Sequence, residues 1–221
     1  MTFSLLARDP GSGTLCGAAA TGSLCVGGWV LRGDARAGLS ASQGAAPSTM
    51  WGDDALALMR AGVAAGPAVE QLTAPDRGRN WRQLAALDRH GGAGHFTGTS
   101  NTAWRGARAE GAMVAAGNLL AGPQVLDALM AGFAEASGAP AERLLAALDA
   151  AAAAGGDSRG LQSAALLIVA EDAAPLTLRV DWAESPLDAL RGLYARTREP
   201  EYRDWAATVP TLRHPELPHD G

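Results

Sequence analysis

Lysine is absent from this 221-residue chain, and all 18 basic residues are arginine. No lysine general base, Schiff base or phosphate-gripping P-loop lysine is therefore available. Histidine is rare. His90 and His95 flank a glycine turn, His214 and His219 lie near the end, and none has the His-x-x-x-His spacing of a metal-binding helix. They read as solvated turn residues, and no metal site is expected. The two cysteines, Cys16 and Cys25, lie in apolar surroundings and read as reduced core thiols. No G-x-G-x-x-G or P-loop follows a strand, so no nucleotide cofactor is expected. No run approaches the roughly 18 apolar residues of a membrane span. The first residues lack the basic segment of a signal peptide, and a cytoplasmic location is the expectation.

Hydrophobic residues make up 48% of the chain and charged residues 19%, a globular balance. The length suits one substantial domain, which can bury about 70% of its unfolded surface without disulfide or metal. A net charge of −5 argues against nucleic acid or an anionic membrane surface as partner.

Residues 2–7 and 14–20 read as a strand hairpin around the turn Asp9-Pro10-Gly11-Ser12-Gly13. Apolar stretches follow at 24–31 and 37–42, the second a strand of small residues. Asp53 is placed to cap a helix carrying Ala55, Leu56, Met59 and Val63, and a second helix is predicted over 67–72. Residues 81–88 and 95–98 read as a strand pair, and 112–120 as a further strand. Helices follow Gly122-Pro123 and Ala139-Pro140. Residues 163–169 and 176–180 read as strands and 186–197 as a final helix. Blocks of strands and helices in this order indicate an α+β fold, which two sheets packed face to face with helices outside would accommodate. Residues 1–198 form one domain in this reading, and 199–221 an extended polar tail.

Two patterns carry chemistry. Gly156-Asp157-Ser158-Arg159-Gly160 spells the G-x-S-x-G of a nucleophile elbow, but a helix precedes it and a strand follows, the reverse of what the elbow requires. Thr2 offers a different nucleophile. Aminopeptidase removes an initiator methionine before a small residue, leaving a hydroxyl and a free α-amine on adjacent carbons. The amine titrates at about 7.7–8.0, so it serves as a base at cellular pH and needs no lysine.

Segments in order along the chain give this residue a context. They include Thr2-Phe3-Ser4-Leu5-Leu6-Ala7-Arg8-Asp9-Pro10, Ser42-Gln43 before Pro47-Ser48, Gly117-Asn118-Leu119-Leu120-Ala121-Gly122 and Gly155-Gly156-Asp157-Ser158-Arg159-Gly160-Leu161-Gln162-Ser163. In them the chain resembles the bacterial and archaeal family known as domain of unknown function 1028 (DUF1028), grouped with the N-terminal-nucleophile (Ntn) hydrolases. The resemblance implies a four-layer αββα sandwich and a hydrolase of amide bonds, with Thr2 as nucleophile after loss of Met1. It implies that Asn118 completes an oxyanion hole or orients the amine. Asp157 and Ser163 would hold the N-terminus, and the backbone near Gln43 and Gly44 would stabilise the oxyanion. Arg159 is the candidate to grip a substrate carboxylate. Two departures stand out. Relatives often carry lysine or histidine after the second strand, where this chain has Thr21-Gly22-Ser23, and the segment before Leu176 is shorter than usual. The expected partner is a small anionic metabolite bearing an amide or carbamoyl group. A homodimer or larger homo-oligomer is also expected, because residues 125–133 carry more apolar surface than one helix face usually buries. The alternative is a non-catalytic ligand-binding or scaffold protein on the same fold.

Overall fold

Side chains alternate along the first strand: Phe3, Leu5 and Ala7 join one buried cluster, while Leu6 turns into another. That period of two makes a strand with both faces covered. The computed structural model describes residues 2–217, so Met1, Pro218 and His219 lie outside the described residues. Ten strands are described: β1 (Thr2–Arg8), β2 (Leu15–Thr21), β3 (Leu31–Asp34), β4 (Gly38–Gly44), β5 (Arg82–Asp88), β6 (Ala93–Thr97), β7 (Gly106–Glu110), β8 (Met113–Asn118), β9 (Ser163–Val169) and β10 (Leu176–Val180). Seven α-helices intervene: α1 (Val26–Trp29), α2 (Thr49–Arg60), α3 (Ala65–Thr73), α4 (Gln124–Glu135), α5 (Pro140–Ala153), α6 (Pro186–Thr197) and α7 (Pro200–Ala206).

The strands form a six-stranded sheet ordered β10-β9-β2-β1-β8-β7 and a four-stranded sheet ordered β3-β4-β5-β6. Every pairing is antiparallel. The fold is thus mixed α+β. One apolar cluster joins the six-stranded sheet to α4, α5 and α6, with Phe3, Phe133, Leu126, Leu144 and Leu148 essentially unexposed. Each such side chain contributes about 1.5–3 kcal/mol by leaving water. A second cluster joins the two sheets, with Leu6, Ala19, Val114, Ala116, Ala165 and Leu167 against Leu39, Ala41, Ala85 and Leu87. A third joins the four-stranded sheet to α2 and α3 through Trp51, Met59, Val69 and Leu84.

Several expectations need correction. Asp53 lies inside α2, where it pairs with Arg32 at 3.2 Å. The cap is Ser48, whose hydroxyl accepts the Trp51 N–H at 3.3 Å, and Val63 falls beyond the helix end. Residues 24–31 hold the short helix α1 and the first residue of β3, because Val26, Val30 and Leu31 turn inward at turn-like spacing. Edge strand β7, with no apolar alternation to betray it, was not predicted. The segment from Glu199, expected to be extended, begins with helix α7 behind Pro200 at a tolerated first-turn position.

Candidate functional site

The alternation that builds the core also builds the site. On β1, Thr2 shares the face of Leu6; on β8, Asn118 shares that of Val114 and Ala116; on β2, Thr21 shares that of Ala19; on β9, Ser163 shares that of Ala165 and Leu167. The register sets Thr2 opposite Asn118 and Thr21 opposite Ser163, and continuing the β1–β2 register by one residue sets Thr2 opposite Thr21. A polar row, Ser163, Thr21, Thr2 and Asn118, therefore crosses four strands at one end of the apolar layer between the sheets. The facing sheet answers with Gln43, Gln83 and Thr97, neighbours in register on β4, β5 and β6.

Hydrogen bonds tie the two rows together. Thr2 Oγ1 donates to Thr21 Oγ1 at 3.2 Å, and Gln43 Nε2 reaches the Thr2 carbonyl oxygen at 3.4 Å. Gln43 Nε2 also donates to Gln83 Oε1 at 2.7 Å, which accepts Asn118 Nδ2 at 3.1 Å as well. Gln83 Nε2 in turn donates to Thr97 Oγ1 and to the carbonyls of Gly106 and Gly117. Gln43 Oε1 is buried and has no hydrogen-bond partner among the described residues. An orphaned acceptor in such a place costs about 1–3 kcal/mol and commonly marks a functional position.

Asp157 and Ser163 bond to the loop after β2. The fully buried Asp157 carboxylate accepts the Gly22 N–H at 2.6 Å and the Arg159 N–H at 2.8 Å. Ser163 Oγ donates to the Ser23 carbonyl and accepts the Val26 N–H. Together they clamp the turn after β2 against the segment before β9. Gly22 allows this closeness, since a Cβ there would lie 2.4 Å from the Gly160 carbonyl oxygen and 2.7 Å from the Asp157 carboxylate. Arg159 turns its Nε and Nη2 edge to Asp157, at 3.3 and 3.2 Å, and its side chain stays 46% exposed. The Gly156–Gly160 pattern sits between α5 and β9 and forms no elbow.

A cleft of about 490 Å³ opens over Thr2. Thr2, Thr21, Gln43, Gly44 and Arg159 line it, as do Leu24, Trp29, Pro47 and Leu119. Such a volume falls within the range of small-molecule sites, about 300–1,000 Å³. Leu119 holds φ at +59° and Cys25, between the lining residues Leu24 and Val26, holds +60°. Left-handed backbone in non-glycine residues costs about 1–3 kcal/mol and concentrates at functional sites. Of the expected site residues, Thr2, Gln43, Gly44 and Arg159 line the cleft, whereas Asn118, Asp157 and Ser163 stand behind it. Thr21 and the hub Gln83 were assigned no role from sequence. Nothing in the local sequence marks either of them. His90, His95 and His214 lie away from the cleft, and no group of three His, Cys, Asp or Glu among the described residues is arranged to hold a metal ion.

The pattern of the family of unknown function DUF1028 matches residues 2–190. The crystal structure of protein SPO2555 from Silicibacter pomeroyi, described as a DUF1028 protein, is similar over 100% of this chain and 96% of its own, at 48% identity and a TM-score of 0.95. No curated protein matches. With the great majority of its length matched, the chain belongs to the DUF1028 family.

Proposed function

We propose that this protein is an Ntn-type amide hydrolase of the four-layer αββα kind, with Thr2 as nucleophile once Met1 is removed. The observation that carries this reading is the Thr2 hydroxyl, at the head of a central strand, on the floor of the cleft. The three apolar clusters, helix to sheet, sheet to sheet and sheet to helix, support the layering. In the reaction, Thr2 Oγ attacks the amide carbon while the α-amine takes the hydroxyl proton. The C–N bond then breaks as the amine returns that proton to the leaving nitrogen. Water, deprotonated by the same amine, hydrolyses the acyl-threonine ester. Gln43 Oε1 is suited to accept an N–H from the freed amine and hold its lone pair toward Oγ. The backbone at Gly44 borders the cleft and is suited to stabilise the oxyanion, and Asn118 steadies Gln43 through their shared acceptor on Gln83.

Intact mass of protein from the native source is expected to lack the initiator methionine. Thr2→Ala is expected to abolish amidase turnover with the fold unchanged by circular dichroism, and Thr2→Ser to keep part of the rate. A retained Met1, or wild-type turnover by Thr2→Ala, overturns the assignment. A second reading, a ligand-binding protein without catalysis, is favoured by the segment Thr21-Gly22-Ser23, which has no basic residue, and by the nucleophile's neighbour Thr21, a second hydroxyl. In that case ligand binds and no turnover is seen.

A further inference from the structure

The walls of the cleft differ from its floor. Thr2, Thr21 and Gln43 make the floor polar, and Arg159 supplies the charged side chain in the lining. The lining also includes Leu24, Val26, Trp29, Val30, Ala45 and Pro47, which are apolar. Leu24 is 52% and Trp29 53% exposed, although most large apolar side chains of this chain are buried. Helix α1 has only four residues, and Val26 takes its inward position, so Trp29 is left facing outward at the cleft. Trp81 and Trp182 are also exposed and belong to segments whose backbone bonds to residues adjoining the lining. The Trp81 carbonyl accepts the Ala46 N–H, and Trp182 follows Asp181, whose carbonyl accepts the Cys25 N–H. Exposed apolar surface gathered beside a nucleophile-bearing cleft points to a ligand that covers it.

We propose that the cleft takes carboxamides carrying an apolar group, a branched or linear alkyl chain or an aryl ring, which lies against Leu24, Trp29, Val30 and Pro47 while the amide sits over Thr2. This rests on the reading of the cleft as the substrate site and names the substrate class for it. Arg159 does not contradict it. Its Nε and Nη2 edge is engaged by Asp157, and the residue lines the cleft, where a carboxylate at the far end of the substrate would meet it. Selectivity then comes chiefly from apolar area, with charge secondary.

The test uses full-length Thr2→Ala protein, which is expected not to turn over, titrated calorimetrically with butanamide, hexanamide and phenylacetamide. Affinity is expected to rise about three- to fourfold for each methylene added to the alkyl chain. Trp29→Ser is expected to weaken hexanamide and phenylacetamide binding at least fivefold. Trp205→Ser, an exposed tryptophan on α7 that lines a different groove, is expected to leave binding unchanged. Equal affinities across the series, no detectable binding of hexanamide, or equal losses in the two tryptophan variants overturn the proposal. Length-dependent binding alongside a wild type that hydrolyses none of these amides would sink the nucleophile assignment and leave the apolar site standing. Turnover of acetamide as fast as hexanamide would do the reverse.

Discussion

Arg159 and Asp157 show how one side chain's task depends on its neighbour. Asp157 is fully buried and receives three donors from residue 159 and one from Gly22, so the guanidinium anchors a loop as well as facing the cleft. Arg159→Gln is expected to raise KM several-fold for a substrate with a terminal carboxylate and to change a neutral analogue little. Equal losses for both would assign the residue to the loop alone. The cysteines separate in the same way. Burial pushes the Cys16 thiol up to about 12, and the nearby Asp9 adds to this while Arg143 opposes it. Cys25 is half-buried. Native protein at pH 8 is therefore expected to release one equivalent with a thiol-exchange reagent, from Cys25, and a second only on unfolding. Two fast equivalents would show that Cys16 is reachable.

At the scale of elements, Ser48 rather than Asp53 starts α2, because the helix continues upstream until Pro47 and needs an acceptor there. Ser48→Ala is expected to cost about 1 kcal/mol in urea unfolding, and Asp53→Ala, which removes only an exposed ion pair, less than about 0.5 kcal/mol. The turn Asp9–Thr14 is coupled to α5 through Asp9 and Arg143, 2.7 Å apart and each mostly buried, with the guanidinium over the Phe133 ring at 4.1 Å. Burial raises the Asp9 carboxyl pKa. Hydrogen bonds from the Ser12 N–H and hydroxyl, with Arg143, outweigh it, so the net shift is downward. A carboxyl lowered in the folded state stabilises the fold above its unfolded value, about 3.9, and loses that contribution as pH falls through the folded one. Asp9→Asn is expected to destabilise the protein by about 1–2 kcal/mol at pH 7. That difference should shrink below about pH 4, read by urea unfolding at pH 7 and pH 3. An unchanged difference at both would refute the coupling.

For the whole molecule, the apolar surface of α4 finds its cover inside the chain. Val125, Leu126, Leu129, Met130 and Phe133 all sit in the cluster between α4, α5 and the six-stranded sheet. The reason first given for a homo-oligomer therefore falls away, and an assembly would need another surface. No helix among the described residues is long and apolar enough to cross a membrane.

What the sequence determined by itself was local. Short apolar runs in β1 and β9, glycine and proline punctuation and the apolar faces of α4 and α5 were legible because these signals act over a few residues. Thr2 stood out for its position, and the match to DUF1028 followed from ordered segments. Tertiary structure decided the rest. Gln43 and Asn118 share the Gln83 Oε1 acceptor although 40 and 35 residues separate them from Gln83, and Asp157 closes on Gly22 across 135. Only the pairing of strands into two sheets, and the packing of one sheet on the other, brings such groups within hydrogen-bond distance. A buried polar group must find its partner wherever the fold supplies one, and that partner leaves no mark in the neighbouring sequence.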